Sequence, residues 1–195
     1  MALVTGGSAG LGLAIARALA RAGSGVVLAS RSAERCQRAA ARLSAETGRS
    51  VTGRACDVTD ERAVADLVDA VMASRGRLDV LVTSAGVQAR GTLEQLDVAT
   101  LRACLDVNVV GTWLACRAAA APTRPSALAP GPFRTSLNAG VDDDPAVRRI
   151  LSAEVQLGRW ADPAELAGAA LLLTDPQGSY LTGAVLPVDG GWTAH

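Results

Sequence analysis

The first 84 residues repeat one rhythm: a short apolar run, a glycine or polar break, then a longer stretch whose apolar residues recur at helical spacing. Ala2-Leu3-Val4-Thr5 is an apolar β run, broken by Gly6 to Gly12. Leu13 to Ala22, rich in Ala and Leu, predicts a helix that Gly23 ends. Val26-Val27-Leu28-Ala29 predicts a second strand, and Ser32 caps a helix running to about Thr47 and closed by Gly48. Val51 to Cys56 predicts a third strand. Thr59 or Asp60 caps the next helix, whose Val64, Leu67, Val68 and Val71 keep helical spacing, and Leu78 to Thr83 predicts a fourth strand. Buried parallel strands read as continuous apolar runs of this kind, so the alternation predicts an α/β fold, a doubly wound parallel sheet with helices on both faces and right-handed crossovers.

Past residue 84 the rhythm fails. A long helix is predicted from about Asp97 to Ala121, stopped by Pro122 and Pro125. Ser126-Ala127-Leu128-Ala129 is a short, weak strand before Pro130-Gly131-Pro132. Asp142-Asp143-Asp144-Pro145 opens a short helix, Pro163 to Leu173 forms another, and Gly183 to Val188 is a last strand. A chain of 195 residues suits one α/β domain rather than two. The expected layout is a single domain over 1–195, with a cofactor half at 1–110 and a shortened substrate half at 111–195.

Composition narrows the chemistry. Hydrophobic residues make up 49% and charged residues 19%, with a formal net charge of +0. No basic excess points to nucleic acid. Every basic side chain other than His195 is Arg, so lysine chemistry is excluded. Cys36, Cys56, Cys104 and Cys116 form no Cys-x-x-Cys pair and the only His is residue 195, so no metal site is expected. Scattered thiols in an α/β chain suggest a reducing compartment, and a cytoplasmic location is expected. No apolar stretch is expected to reach the ~20 residues of a membrane span, and no membrane partner is expected.

The turn Thr5-Gly6-Gly7-Ser8-Ala9-Gly10-Leu11-Gly12 joins the first strand to the first helix. Glycines allow a sharp turn and close approach of a ligand, and the free N–H groups and dipole of a helix start favour a pyrophosphate. A phosphate loop of the Gly-Lys-Ser/Thr kind is excluded, since there is no Lys. A Rossmann-like dinucleotide site is therefore predicted. The second strand ends Ala29-Ser30-Arg31, without the acid that would bind a ribose 2′-hydroxyl. Arg31 can pair with a 2′-phosphate, which favours NADP(H) over NAD(H); the plain alternative is a solvated surface arginine. Asn108 lies seven after Leu101 and three after Leu105, on the apolar stripe of its helix, where a buried Asn needs hydrogen-bond partners.

These motifs, in this order, resemble the short-chain dehydrogenase/reductase family in its compact, single-domain form. The spacing Gly6-x-x-x-Gly10-Leu11-Gly12 after Thr5 is similar to that family's cofactor turn, in which Ser8 also takes part. In Cys56-Asp57-Val58-Thr59-Asp60, the resemblance implies that Asp57 and Val58 hold the adenine. Thr83-Ser84-Ala85-Gly86 resembles the family's Asn-Asn-Ala-Gly, with Ser84 in place of the second Asn. Val107 to Gly111 resembles the helix that carries an active-site Asn, here Asn108. Ala129 to Thr135 is similar to a loop in which Pro130 and Gly131 line the cofactor and Thr135 meets the nicotinamide carboxamide. Segments 158–165, 179–183 and 188–191 resemble the family's C-terminal segments. The resemblance implies hydride transfer between NADP(H) and a small-molecule alcohol/carbonyl pair, and a homo-oligomer.

One family feature is missing. Catalysis in the family rests on a Ser and on Tyr-x-x-x-Lys, and this chain passes from Ala121 to Ser126 with neither. Judged against family domains of roughly 250 residues, a segment of roughly 50 is absent, with one to two central strands. The only Tyr, Tyr180, falls in the C-terminal segment. Half of the family's helical dimer interface would go with the lost segment. The remnant around Ala127 to Ala129 is expected to pair beside the fourth strand, with the last strand next to it; the alternative is a frayed C-terminal half with exposed apolar surface. Three readings stay open: an oxidoreductase by ancestry that is inactive as written, a non-catalytic NADP(H)-binding pseudoenzyme, or a truncated reading frame.

Overall fold

The computed structural model describes residues 1–119, 125–141 and 144–194, which fall into two compact units, Met1–Ala121 and Pro122–His195. The expected helix end at Ala121, the stop at Pro122 and the acidic pair Asp142-Asp143 lie outside the described residues.

In the first unit, strands β1 (Ala2–Thr5), β2 (Val26–Ser30), β3 (Val51–Ala55) and β4 (Val80–Thr83) form one parallel sheet in the order β3-β2-β1-β4. Helices α1 (Gly10–Arg21), α2 (Ala33–Thr47) and α3 (Glu61–Arg75) connect them. The punctuation expected from the sequence operates as read. The Ser32 hydroxyl accepts from the Arg35 N–H, and Gly48 closes α2 in the left-handed region at φ 66°. Asp60, rather than Thr59, caps α3, its carboxylate accepting from the Arg62 and Ala63 N–H groups. Alternate strand residues divide between the two faces. Leu3, Val27 and Ala29 pack in one buried cluster with Val64, Leu67, Val68 and Val71 of α3 and with Leu114 and Ala115. On the other face, α1 and α2 pack on β1 and β2.

One close approach was not legible. A Cβ on Gly53 of β3 would lie 2.4 Å from the Cys36 carbonyl carbon and 2.6 Å from its oxygen, so only glycine lets α2 lie this near β3. Overpacking against backbone cannot relax by a rotamer change. Gly53→Ala is expected to cost about 1–3 kcal/mol, read as a lower denaturant midpoint at unchanged slope.

The predicted long helix is a composite: α4 (Val98–Leu105), a π-helical turn (Asp106–Val110) and α5 (Gly111–Ala118). By length and composition this 21-residue stretch, within which an 18-residue window has a mean hydropathy of 1.2, is long and apolar enough to cross a membrane, which corrects the expectation that no such stretch exists. Arg102, Asp106, Asn108 and Arg117 interrupt it. Leu101, Leu105, Val109 and Trp113 are all exposed, whereas Leu114 and Ala115 reach the core.

In the second unit, β5 (Ala127–Pro130) and β6 (Val185–Val188) pair in parallel as a two-stranded sheet of their own. This corrects the expected six-stranded order. The two strands are neighbours as predicted, but β5 does not join β4. A strand is held by its packing as well as by its edge hydrogen bonds. The loops leaving β5 and β6 are tied into their own layer: the Arg134 N–H donates to the Ala161 carbonyl at 2.9 Å, and the Leu157 N–H to the Gly190 carbonyl at 3.0 Å. Phe133, Leu151, Val155, Leu166 and Ala170 are buried in this unit. Helix α6 (Pro145–Glu154) starts on Asp144, whose carboxylate accepts from the Ala146 N–H. Asp162 and Glu165 form a capping box ahead of α7 (Ala167–Thr174). The Glu165 carboxyl is drawn down to about 2, first by hydrogen bonding from Arg159 and then by the Asp162 N–H.

Candidate functional site

The glycine turn shows why its residues are small. Gly6 and Gly10 hold φ of 67° and 55°, which other residues rarely adopt. A Cβ on Gly6 would stand 2.4 Å from the Ser84 carbonyl oxygen, and one on Gly12 would stand 2.6 Å from the Gly6 oxygen. The turn is thereby pressed against the end of β4, where the Ser84 N–H donates to the Thr5 carbonyl at 3.1 Å. Thr5 is buried, Ser8 and Leu11 are half-buried.

Helix α1 starts differently from its neighbours. Its N-cap is Ala9, no side chain caps it and no acid stands in its first turn. By contrast α2, α3, α4 and α6 are capped by Ser32, Asp60, Asp97 and Asp144. The first N–H groups of a helix need partners, and a helix without its own cap offers them to an anion. The residues therefore fit a dinucleotide pyrophosphate: a cradle that a Cβ would fill, with donors above it.

At the end of β2 the Ser30 hydroxyl is turned inward, 3.4 Å from the Ser32 carbonyl and 3.0 Å from Cys36 Sγ. Arg31 is exposed. Asp57 follows β3. Its Oδ1 accepts from the Thr59 N–H at 3.0 Å and the Thr59 hydroxyl at 2.8 Å. These bonds, with a smaller contribution from the Arg31 charge, hold its carboxyl below the usual range. It is an ionised acceptor at neutral pH. Val58 is buried, and a Cβ on Gly111 would meet its side chain at 2.7 Å. The neighbouring Cys56 thiol is pushed up to about 11, by burial first and then by Asp57 and Asp60, so it is no nucleophile at neutral pH.

Asn108 is exposed, which corrects the expectation of a buried side chain. Leu101 and Leu105, the other members of the stripe, are exposed as well, so the apolar stripe that carries Asn108 is not one that meets the core. The partners are nevertheless present. Asn108 Oδ1 accepts from the Val87 N–H at 2.9 Å, and Nδ2 donates to the Val87 carbonyl at 2.9 Å and to Cys104 Sγ at 3.3 Å. Asn108 thus clamps the loop Ser84-Ala85-Gly86-Val87. Asn108→Ala is expected to raise amide exchange at Val87 by at least about tenfold, since net bonds of about 0.5–1.5 kcal/mol each are lost, with a small fall in melting temperature. The Cys104 contact was missed in the sequence, although a spacing of four on a helix could have found it.

Thr5, Gly6, Ser8, Gly10, Leu11, Gly12, Ser30, Arg31, Asp57, Val58, Ser84, Ala85, Gly86 and Asn108 all belong to the first unit. Pro130, Gly131 and Thr135 belong to the second. There Pro130 ends β5, and a Cβ on Gly131 would stand 2.6 Å from the Asp189 Cα. Thr135 precedes a single 3-10 turn, Ser136–Asn138, whose Asn138 Nδ2 donates to the Phe133 carbonyl at 3.0 Å. Tyr180 is wholly exposed in the second unit. Among the described residues no group of three or more His, Cys, Asp or Glu could hold a metal ion.

Comparison with known proteins gives this arrangement a family. A family model described as short chain dehydrogenase matches residues 1–127, and one described as Enoyl-(Acyl carrier protein) reductase matches residues 121–193. Cis-4-hydroxycyclohexanecarboxylate dehydrogenase of Sinomonas cyclohexanicum is 33% identical over 244 positions, covering 100% of this chain and 96% of the relative. Gluconate 5-dehydrogenase of Gluconobacter oxydans is 32% identical, covering 98% and 94%. Among solved structures, a gluconate 5-dehydrogenase from Burkholderia cenocepacia in complex with NADP and tartrate superposes with a TM-score of 0.92 at 29% identity, covering 100% of this chain and 95% of that one. A short-chain type dehydrogenase/reductase from Mycobacterium ulcerans gives 0.92 at 26% identity, covering 100% and 90%. The first of these alignments takes in the whole chain, so 195 residues against 244 positions leave 49 positions inside it that this chain does not fill. The two family models meet at 121–127, where the sequence passes from Ala121 to Ser126 without the expected segment. From its glycine turn to its last strand, this chain belongs to the short-chain dehydrogenase/reductase family.

Proposed function

We propose that the chain binds NADP(H) in its first unit and, as it stands, transfers no hydride to or from an alcohol/carbonyl pair. The observation that carries the binding half is the uncapped, acid-free start of α1 above the Gly6 cradle. Its first-turn N–H groups receive the pyrophosphate. Ionised Asp57 accepts from the adenine amino group, Ser84 to Gly86 border the cofactor under the Asn108 clamp, and Arg31 supplies charge for a 2′-phosphate. The nicotinamide, when bound, carries the hydride chemistry. The preference for NADP(H) draws further support from the absence of an acid in Ala29-Ser30-Arg31.

The non-catalytic half rests on the chain's own inventory. It has no Lys, and its one Tyr is exposed in the C-terminal segment. Asn108, the remnant of the family's active site, is spent on Val87. Titration of the purified chain with NADPH and NADH tests the binding half. NADPH is expected to bind more tightly, and Arg31→Ala to narrow the difference. Equal affinity for the two cofactors would refute the assignment to NADP(H).

The 49 unfilled positions favour a second reading, in which a longer form of the chain carries the catalytic segment. The coding DNA between the Ala121 and Ser126 codons decides it: an in-frame stretch encoding Ser and Tyr-x-x-x-Lys makes the longer form an ordinary enzyme.

A further inference from the structure

The sheet of the first unit ends on β3 and β4, each of which pairs with a single strand. The ladder with β1 fixes which way the peptide groups of β4 point. The Val80 N–H donates to the Met1 carbonyl at 3.2 Å, and the Ser84 N–H to the Thr5 carbonyl at 3.1 Å. Leu81 stands level with Leu3, and Thr83 with Thr5. Peptide groups alternate between a strand's two neighbours, so Val80, Val82 and Ser84 face β1. The N–H and C=O groups of Leu81 and Thr83 face away from it, and no strand of the sheet pairs with them.

The two edges are built differently. β3 carries exposed Thr52 and exposed, charged Arg54, and a charge on an edge strand discourages further pairing. β4 is Val-Leu-Val-Thr, without charge, proline or glycine, and its residues are half-buried where those of β1 are buried. Leu81 packs on the cluster that α3 forms with Leu114 and Ala115, so one face is already covered. An uncharged apolar edge with a row of unpaired peptide groups is a template for one more strand.

The sequence of β4 itself fits that edge. Two copies related by a twofold axis meet with β4 antiparallel to β4, a closed arrangement, whereas β4 on the β3 edge would not close and would meet Arg54. With Val82 on the axis, Leu81 lies opposite Thr83 of the second copy, and such a pair exchanges both of its N–H···O=C bonds. The same register sets Val82 against Val82, Val80 against Ser84 and Asp79 against Ala85, so no like charges meet. A register centred on Leu81 is poorer. It sets Thr83 opposite Asp79, whose N–H is spent on the Met1 carbonyl at 2.9 Å and whose carboxylate holds the Met1 amine and Arg77.

We propose that the β4 edge docks a second copy of this chain, joining two sheets into one through an antiparallel pair centred on Val82. This surface differs from the helical one that the family resemblance implies, and it does not depend on cofactor binding.

The test is sedimentation of the full chain over a concentration series, with amide exchange followed at the same concentrations. The expected result is a monomer–dimer equilibrium in which the Leu81 and Thr83 amides exchange more slowly as concentration rises, while those of Val80 and Val82 are slow throughout. Thr83→Pro removes an N–H that β1 does not use, which an edge strand tolerates. It is expected to weaken dimerisation at least about tenfold, since both copies lose a shared bond. Leu105→Glu, on the exposed helical stripe, is expected to change dimerisation less than twofold. A chain that is monomeric at every concentration overturns the proposal. So does a dimer whose Leu81 and Thr83 amides exchange as in the monomer, or one that Leu105→Glu abolishes and Thr83→Pro leaves intact. Slow exchange of both amides in a chain that stays monomeric gives the edge to another segment and overturns the second copy. Where circular dichroism shows Thr83→Pro unfolded, the exchange pattern of the unaltered chain decides.

Discussion

NADPH mixed with the purified chain and a panel of ketones, sugars and quinones is expected to be oxidised no faster than in buffer alone. Positioned proton transfer contributes about 10²–10⁴-fold to such reactions, and the Tyr-x-x-x-Lys that supplies it in the family does not occur in this sequence. Without Lys, a cation beside a phenol would have to come from Arg or His195, and the only phenol is that of exposed Tyr180. Asn108 holds the Val87 backbone through both ends of its amide. Inserting a segment that encodes Ser and Tyr-x-x-x-Lys between Ala121 and Ser126 is expected to raise turnover by at least about 10²-fold. Steady NADPH oxidation by the uninserted chain at ordinary enzymatic rates, about 1–10³ s⁻¹, would overturn the expectation. Binding serves as the control: quenching of NADPH titration by the Gly6→Ala variant separates a chain that binds without reacting from one that does neither.

What the sequence makes legible stops where local signals stop. Strands β1 to β4 could be read because each apolar run is bounded by glycine, proline or a capping side chain. Ser32, Gly48 and Asp60 act at the positions where such residues act in any helix. The glycine turn could be read for the same reason, since strand, turn and helix are contiguous. The separate β5-β6 sheet could not be read in this way. Which edge a strand joins depends on packing from segments far away in the chain. The exposure of Asn108 could not be read, because periodicity finds an apolar stripe without saying whether it meets the core, and Leu101 and Leu105 on the same stripe are exposed too. Gly53 looked like any strand glycine; its reason is the backbone of Cys36, which only the folded chain brings near.

Gly6→Ala is expected to damage both stability and cofactor binding, and Gly48→Ala supplies the measure of why. The two glycines have nearly the same backbone, φ 67° and 66°. A Cβ at Gly48 meets nothing within 4 Å, whereas one at Gly6 would lie 2.4 Å from the Ser84 oxygen and 2.6 Å from the Ala85 nitrogen. Gly48→Ala therefore reports the left-handed backbone alone, about 1–2 kcal/mol, and should leave NADPH affinity as it was. Gly6→Ala adds an overpacking cost of about 1–3 kcal/mol, because the atoms it strikes are main chain and cannot swing aside. The loop from Ser84 to Gly86 must then move off the turn proposed above to hold the pyrophosphate. With each 1.4 kcal/mol worth about tenfold in affinity, NADPH binding is expected to weaken at least tenfold. Thermal melts and NADPH titrations of the two variants check this. If Gly6→Ala melts no lower than Gly48→Ala and binds NADPH equally well, the contact between the turn and the end of β4 is not what holds the cofactor site together.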